Sequence, residues 1–319
     1  MRTWEFVITG GPCAGKSTGL SIVEQMLTKK GYKVIVVPET ATEVISSGIV
    51  PSELSTKQFQ ALIMDRSINK EVTTRTAAAY MKRDTVILYD RGLLDSKAYM
   101  PYEMFIDVLN DRGLNEVEVR DRYDAVFHLV TAADGAEQYY TLENNQARSE
   151  SPEQARELDK KTRDAWVGHS HLRVIDNSTG FKEKIDRLIN EILSVMGLPI
   201  PIENERKFLV VRPSEEILKE LKAVQLSICQ SYLGSEEPEV ERRIRQRGDG
   251  QNFSYYYTEK RKIEGSKRFE VERRISQKEY LSLLMDAEKS VRKYRYCFLH
   301  SNVYFELDIF PDWKEEALV

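Results

Sequence analysis

The sequence has few cysteines and no long hydrophobic run, and each shortage excludes a class of protein. Only 3 cysteines occur in 319 residues, at positions 13, 229 and 297, and their spacing fits neither a disulfide framework nor a structural zinc site. No segment approaches the roughly 20 consecutive apolar residues that a membrane-spanning helix needs. The N-terminus also lacks the pattern of a signal peptide, so we expect a cytoplasmic protein without a transmembrane segment.

Neither sign of charge is in large excess. The formal net charge is -4, which argues against a general affinity for nucleic acid, so we expect no nucleic-acid partner. The 41 % of hydrophobic residues are enough for a large core, and the length predicts two domains.

What the sequence does contain is a complete phosphate-binding loop, or P-loop. It follows the apolar residues 4–9 directly and precedes a helical pattern. Its glycines let the backbone fold around an anion, so that N–H groups and the positive end of the helix face the phosphates. Lys16 adds a mobile charge, and Ser17 is placed to put its hydroxyl on Mg²⁺. The residues of this predicted nucleotide site are Gly10, Gly11, Pro12, Cys13, Ala14, Gly15, Lys16, Ser17 and Thr18.

The first 196 residues alternate between strand and helix patterns. The strands are predicted at 4–9, 32–37, 85–91, 125–130 and 172–175, and the main helices at 16–30, 55–82 and 180–196. Such alternation predicts the α/β P-loop NTPase fold, a parallel sheet with flanking helices that binds ligands at the carboxyl ends of its strands.

Three polar residues follow two of these strands. Glu39 is placed to take the proton of an acceptor hydroxyl, with helix capping as the alternative. Asp90 can hold magnesium through water, and Arg91 beside it can reach a phosphate or the substrate. The alternative for this pair is an ordinary surface turn.

A segment rich in polar residues, 139–148, has the character of a mobile lid. A lid arginine, Arg148, would stabilise the transferring phosphate and exclude water. Arg156 and Arg163 in the charged helix that follows are weaker candidates, because such helices are usually only solvated.

These features resemble the P-loop kinases related to nicotinamide riboside kinases and deoxynucleoside kinases. The resemblance covers roughly residues 1–196 and depends on the P-loop, Pro38-Glu39, Asp90-Arg91-Gly92 and the lid pattern. It implies that Glu39 is the general base of the reaction. It also implies that the loop 176–179, including Asn177, lies against the nucleobase of the nucleotide. No guanine-reading Asn-Lys-x-Asp motif is present, so ATP and GTP remain equal alternatives.

The pattern changes after residue 198 from helical to strictly alternating. The stiff segment 197–201 leads us to predict a first domain at 1–198, a linker at 199–202 and a second domain at 203–319. Charged residues recur with period two on six predicted strands, which places them on one face. We expect an antiparallel β-barrel whose water-filled lumen contains these charged side chains. The lysines and arginines would bind an anionic chain there, and the carboxylates would hold Mg²⁺ or Mn²⁺. The alternative is a solvent face with salt bridges.

The opening Glu203-x-Glu205-x-Lys207 resembles the CYTH, or triphosphate tunnel metalloenzyme, family over residues 203–319. The resemblance implies that a triphosphate or other polyanion is bound by Lys207, Arg243, Arg245, Lys260, Lys293 and Arg295. It implies that metal is held by Glu203, Glu205, Glu270, Glu272, Glu306 and Asp308. Family members usually continue into a further acidic strand where this sequence ends, so we expect a tunnel that lacks its last strand.

Two functions are consistent with these features. The first is a magnesium-dependent phosphotransferase that uses ATP or GTP and a small-molecule acceptor, fused to a triphosphate-binding or triphosphate-cleaving tunnel. The second is a nucleotide-gated module whose tunnel senses an anionic ligand such as polyphosphate or an acidic lipid at a membrane surface. The domain order resembles a group that includes an insect photoreceptor trafficking factor, which implies GTP and phosphatidic acid as ligands.

Overall fold

The computed structural model describes residues 1–140, 151–198, 208–235, 237, 239–264 and 267–312. The chain divides into two compact units, Met1–Asn190 and Glu191–Val319. No helix in these described ranges is both long enough and apolar enough to cross a bilayer. The predicted linker, 199–202, lies outside the described residues, so its boundaries stay a prediction.

The first unit is a parallel sheet with helices around it, as the sequence predicted. Its strands are β1 (Thr3–Gly10), β2 (Lys33–Val37), β3 (Thr85–Asp90), β4 (Ala125–Leu129) and β5 (Leu172–Ile175). Its helices are α1 (Lys16–Lys29), α2 (Thr40–Ser46), α3 (Thr56–Met81), α4 (Tyr102–Asn110), α5 (Glu116–Arg120), α6 (Pro152–Ala165) and α7 (Phe181–Met196). Short 3₁₀ turns cover Pro51–Glu53, Leu93–Tyr99 and Glu137–Tyr139.

The strand order β2-β3-β1-β4-β5 determines where ligands can bind. β1 lies in the middle and pairs in parallel with both β3 and β4, so the loop after β1 is flanked by the loops after those strands. Parallel strands end at the same edge of a sheet, so the segments after β2 and β3 lie on one side of the P-loop and those after β4 and β5 on the other.

Burial and capping explain why these segments fold as they do. β3 and β4 are almost entirely buried, as expected for strands with helices on both faces. The longest helix, α3, begins at a capping box in which Ser55 accepts from the Gln58 backbone N–H and the Gln58 side chain reaches back.

The second unit is an antiparallel sheet of six strands. They are β6 (Val224–Leu233), β7 (Val240–Gly248), β8 (Phe253–Glu264), β9 (Lys267–Ile275), β10 (Ala287–His300) and β11 (Val303–Ile309). Two helices, α8 (Glu215–Glu220) and α9 (Gln277–Leu284), accompany the sheet. Apolar residues on one face, such as Ile244 and Leu307, form clusters with Tyr280 of α9 and Leu218 of α8.

The prediction of a closed barrel is wrong for the part of the chain that the structure describes. The sheet order is β11-β10-β6-β7-β8-β9, so β11 and β9 are its two edges. A barrel needs hydrogen bonds between its edge strands, and no ladder joins these two among the described residues. The sheet is therefore open. Residues 203–207, predicted as its first strand, and the tail at 313–319 lie outside the described residues.

Candidate functional site

The P-loop joins β1 to α1 through two glycines that no other residue could replace without strain. Gly10 has a φ of 146°, and a Cβ there would lie 2.1 Å from the carbonyl oxygen of Leu129. Gly15, immediately before α1, has a φ of 85°. The loop therefore packs tightly against the end of β4 while the N-terminus of α1 faces the ligand side. The Lys16 side chain is buried here, with Nζ 3.4 Å from the carbonyl oxygen of Gly11.

The P-loop is hydrogen-bonded to a buried carboxylate, Asp159, which the sequence did not indicate. Asp159 of α6 accepts hydrogen bonds from the backbone N–H of Gly11 at 2.7 Å and of Thr131 at 3.0 Å. Its other oxygen lies 3.2 Å from Nε2 of His128 on β4. These contacts keep the pKa of Asp159 low although burial opposes ionisation. In the sequence, Asp159 is one of many charged residues in a helix, and no spacing distinguishes it.

On the β2 and β3 side of the P-loop, the ends of these two strands bring Glu39 and Arg91 together. Arg91 Nε donates to Glu39 Oε1 at 2.6 Å, and the Thr42 hydroxyl donates to Glu39 Oε2 at 2.9 Å. Glu39 is the residue before α2, but its side chain does not cap the helix backbone. The carboxylate instead faces the guanidinium.

The electrostatics of Glu39 follow from this pairing. Burial alone would raise its pKa, but Arg91 and Lys16 outweigh burial and lower the pKa to about 2. Glu39 is therefore ionised at every physiological pH. An ionised carboxylate at this point can accept a hydrogen bond from a hydroxyl.

Arg91 is held in a strained backbone conformation, with a φ of 73°. A non-glycine residue rarely adopts such a φ, and strain of this kind clusters at functional sites. The guanidinium lies 5.8 Å from the ring centre of Tyr99 and 3.9 Å from Asp95. Its contacts on several sides fix its direction.

Asp95 is a second residue that sequence reasoning missed. Its side chain is buried and accepts from the Thr9 hydroxyl and, at 2.7 Å, from the Gly92 backbone N–H. Trp166 Nε1 lies 3.4 Å from the same carboxylate. Asp95 thus holds the turn after β3 against β1. The Asp-Arg-Gly pattern indicated a site at positions 90–92. No pattern in the sequence marked Asp95, three residues after Gly92.

Asp90 has the features of a residue that holds an ion through water. Its Oδ1 is buried and accepts no hydrogen bond from any described residue. Burial raises its pKa, and the carboxylates of Glu39 and Asp95 add to this effect, while Lys16 opposes it. A buried oxygen without a protein partner near a P-loop lysine fits a water or cation in the bound state.

The residues present fit magnesium delivered with a nucleotide better than a protein-only metal site. Among the described ranges, no group of three His, Cys, Asp or Glu side chains converges as a metal cluster. Ser17 is exposed at the start of α1, and Asp90 supplies one carboxylate. Mg²⁺ commonly takes one or two protein ligands together with waters and phosphate oxygens, so this donor set is sufficient.

The loop after β5 is fastened by Asn177. Its Nδ2 donates to the carbonyl oxygens of Thr131 and Asp134, each at 2.7 Å, and its Oδ1 accepts from Lys184 at 2.8 Å. These bonds join the loops after β4 and β5. The predicted contact of Asn177 with a nucleotide base stays a prediction.

The lid prediction falls mostly on residues that the structure does not describe, because Arg148 lies within 141–150. Arg156 of α6 donates to the carbonyl oxygen of Ala133 at 2.7 Å and pairs with Glu153. Arg163 Nε lies 3.7 Å from Asp164. Arg156 therefore fastens the loop after β4 to α6.

In the second unit, the predicted charges on β7, β8 and β9 do share one face. Arg243 Nη2 and Lys260 Nζ lie 3.1 Å and 2.9 Å from the two oxygens of Glu270. Arg245 Nη1 lies 3.7 Å from Glu272. The register pairs Lys260 directly with Glu270, while Arg243 lies opposite Thr258, which in turn lies opposite Glu272.

The same face continues onto β10 and β11. Arg295 donates through Nε and Nη2 to the two oxygens of Asp308, each at 2.7 Å, and also contacts Glu306. Lys293 Nζ lies 2.6 Å from Asp308. Burial and the charge of Arg295 lower the pKa of Lys293 to about 8, although Asp308 opposes them.

Cations are in excess at the centre of this face. Burial lowers the pKa of Arg245, and the nearby guanidiniums of Arg243, Arg295 and Arg247 lower it further, although Glu272 raises it. Arg247, which sequence reasoning missed, is 1 % exposed. The predicted charged side chains of the face on β7 to β11 that form ion pairs are between 9 % and 27 % exposed, and Glu241 at its margin is 41 % exposed. A freely solvated face would show much larger values. The remaining predicted members, Glu203, Glu205 and Lys207, lie outside the described residues.

Comparison with known proteins shows the family to which the chain belongs. The model of a family described as AAA domain matches residues 5–184, which is more than half of the chain. No curated protein matches the chain. The chain therefore belongs to the AAA domain family, and its first unit is a P-loop nucleotide-binding domain.

Proposed function

We propose that this AAA domain protein is a magnesium-dependent phosphotransferase that moves the terminal phosphoryl group of ATP or GTP to a small-molecule acceptor. The observation that carries the proposal is the pair of Glu39 and Arg91 beside the P-loop. A domain that only bound nucleotide would need the loop and its lysine. A buried, strained arginine that orients a carboxylate on the acceptor side suits a second substrate.

On the donor side, the P-loop N–H groups and Lys16 bind the phosphates. Ser17 and Asp90 would hold the magnesium ion that accompanies the nucleotide, and this ion would offset charge on the phosphate oxygens. Burial of Lys16 strengthens its electrostatic effect, because little water screens it.

On the acceptor side, Glu39 accepts a hydrogen bond from the attacking hydroxyl and orients it. A pKa of about 2 makes Glu39 a weak base in the ground state. Phosphoryl transfer passes through a loose transition state, so the hydroxyl passes its proton to Glu39 late, once its bond to phosphorus has begun to form, and orientation matters more than basicity. Arg91 is placed between Glu39 and Asp95, from where its charge can stabilise the transferring group.

Phosphorus-31 NMR tests the proposal directly. The full chain is incubated with magnesium and ATP or GTP, with and without a metabolite extract that supplies acceptors. A phosphotransferase consumes the γ-phosphate faster when acceptors are present and produces a new phosphate-ester resonance. Unchanged spectra for both nucleotides, with and without extract, would contradict the proposal and favour the nucleotide-gated binding module.

For the second unit we propose polyanion binding on the charged face. The supporting observation is the group of buried guanidiniums around Arg245, whose pKa is lowered by burial and further by Arg243, Arg295 and Arg247, although Glu272 opposes them. An anionic chain such as tripolyphosphate would relieve this repulsion. The described carboxylates of the face are already paired with cations, so a metal site there stays a prediction.

Arg245→Gln tests this binding by calorimetry with tripolyphosphate. In a Lys16→Ala background, which weakens the P-loop as a competing site, we expect the substitution to lower affinity roughly tenfold or more, as for a lost charged hydrogen bond. Arg242→Gln is the matched control, because Arg242 lies on the opposite face of the same strand and pairs with Glu259. Equal losses in both variants would show that the charged face has no specific role.

A further inference from the structure

Lys184 of α7 is a buried lysine that the proposed reaction does not use. Its side chain is 2 % exposed. Nζ donates to the carbonyl oxygen of Ala14 at 3.2 Å, to that of Val130 at 2.6 Å and to Asn177 Oδ1 at 2.8 Å. One ammonium group thus joins the P-loop to the loops after β4 and β5.

Two further P-loop carbonyls are fastened to the segment after β4. The Thr131 hydroxyl donates to the carbonyl oxygen of Pro12, and the Ala132 backbone N–H donates to that of Cys13 at 3.2 Å. With the contact of Lys184, three successive carbonyl groups therefore point out of the loop toward the β4 and β5 side.

The directions of these carbonyl groups determine the directions of the N–H groups that follow them in the loop. In a trans peptide the C=O and the following N–H point in opposite directions. Since the carbonyl groups of residues 12, 13 and 14 point backward, the N–H groups of Cys13, Ala14 and Gly15 point to the opposite, ligand-facing side. Successive N–H groups with a common direction form the anion-binding concavity that phosphates occupy.

We propose that Lys184 and Thr131 are positioning residues for nucleotide binding, which act by fixing the direction of three P-loop N–H groups. The inference depends on the proposed binding of nucleotide at the P-loop and adds residues to it. Neither side chain contacts phosphate. Each acts through the peptide plane that it holds, so its loss allows that plane to rotate and removes a preorganised donor.

Charge makes the role of Lys184 sensitive to pH. Burial lowers its pKa to about 8; Asp159 on α6 and Asp176 after β5 raise it, and Arg187 on its own helix lowers it. Bound phosphates favour the ammonium form, so affinity is full below about pH 8 and falls as pH rises through that value, by roughly fivefold between pH 7 and 9. The Cys13 thiol lies in the same loop, so the pH profile needs a variant without the lysine for comparison.

The experiment is calorimetric titration of the full chain with Mg-ATP and Mg-GTP at pH 7, 8 and 9. For Lys184→Met we expect roughly tenfold weaker binding of both nucleotides at pH 7, and an affinity that no longer changes with pH. Lys182→Met, an exposed lysine two residues earlier, should bind and titrate as the wild type does. If Lys184 were needed only for folding, Lys184→Met would lower the melting temperature, and the folded fraction of the variant would keep the pH profile of the wild type.

Thr131→Val is the second variant, and it decides the matter if Lys184→Met does not fold. Valine has nearly the same volume as threonine but lacks the hydroxyl. We expect several-fold weaker nucleotide binding with an unchanged pH profile. Full wild-type affinity in a folded Lys184→Met or Thr131→Val protein would overturn this inference alone, as would a pH profile of Lys184→Met equal to that of the wild type. Absence of nucleotide binding by the wild type would overturn the proposed function and the inference together.

Discussion

Glu39→Gln should lower the rate of the proposed phosphoryl transfer roughly 10²- to 10³-fold and leave nucleotide affinity within about twofold. Glutamine keeps the size of the side chain and one acceptor oxygen, but it removes the negative charge that pairs with Arg91. The attacking hydroxyl then loses its charged hydrogen-bond acceptor, while the P-loop is unaltered. Steady-state rates and calorimetric nucleotide binding measure the two quantities separately.

Glu43→Gln is the matched control for this prediction. Glu43 lies one helical turn later in α2 and pairs with Arg66 and Lys70. It should leave both turnover and affinity unchanged. If Glu39→Gln also retains full turnover, Glu39 is not the acceptor-side carboxylate, and the proposed role of its pairing with Arg91 is wrong.

Lys16→Ala should weaken nucleotide binding roughly 100-fold, the equivalent of about 3 kcal/mol for a lost charge-assisted contact. Lys16 is buried beside two carboxylates, Asp90 and Glu39, and lowers the pKa of both. Its removal leaves uncompensated negative charge where the phosphates must bind. Transfer activity should fall to background for the same reason. Lys29→Ala at the exposed end of the same helix is the control.

The sequence predicted the first unit well because its signals were local and agreed with one another. The apolar run of β1, the glycines of the P-loop and the helical spacing of α1 all indicated one strand-loop-helix unit. The ends of β2 and β3 were predicted within one or two residues, so Glu39 and Arg91 could be assigned to the same edge of the sheet. Their hydrogen bond follows from the adjacency of these strands.

Residues that support the site from a distance were not predictable. Asp95, Asp159 and Lys184 have no spacing that distinguishes them in the sequence. Asp95 matters because it contacts Thr9 at the end of β1, and Asp159 and Lys184 matter because α6 and α7 pack against the P-loop. A buried charge is recognised by its partners, and many of these partners are backbone groups, which any residue type can supply. Sequence patterns carry no record of such contacts.

The second unit shows the opposite balance. Period-two alternation predicted which charges share a face, and the register of β7 with β8 and of β10 with β11 confirms it. Closure of the sheet depends on pairing between strands far apart in the chain, β9 and β11, and alternation says nothing about that pairing. The barrel was inferred from the charge pattern and from the resemblance of the Glu203-x-Glu205-x-Lys207 opening to the tunnel family, and the described strands form an open sheet.

The most direct test of the account is a calorimetric titration of the full chain and its Lys16→Ala variant with Mg-ATP and Mg-GTP at pH 7. Nucleotide held at the P-loop predicts binding of at least one nucleotide by the wild type and a roughly 100-fold loss in a Lys16→Ala protein whose melting transition shows that it is still folded. Equal affinity in both proteins would show that the nucleotide is not held at the P-loop. That result would contradict the central claim.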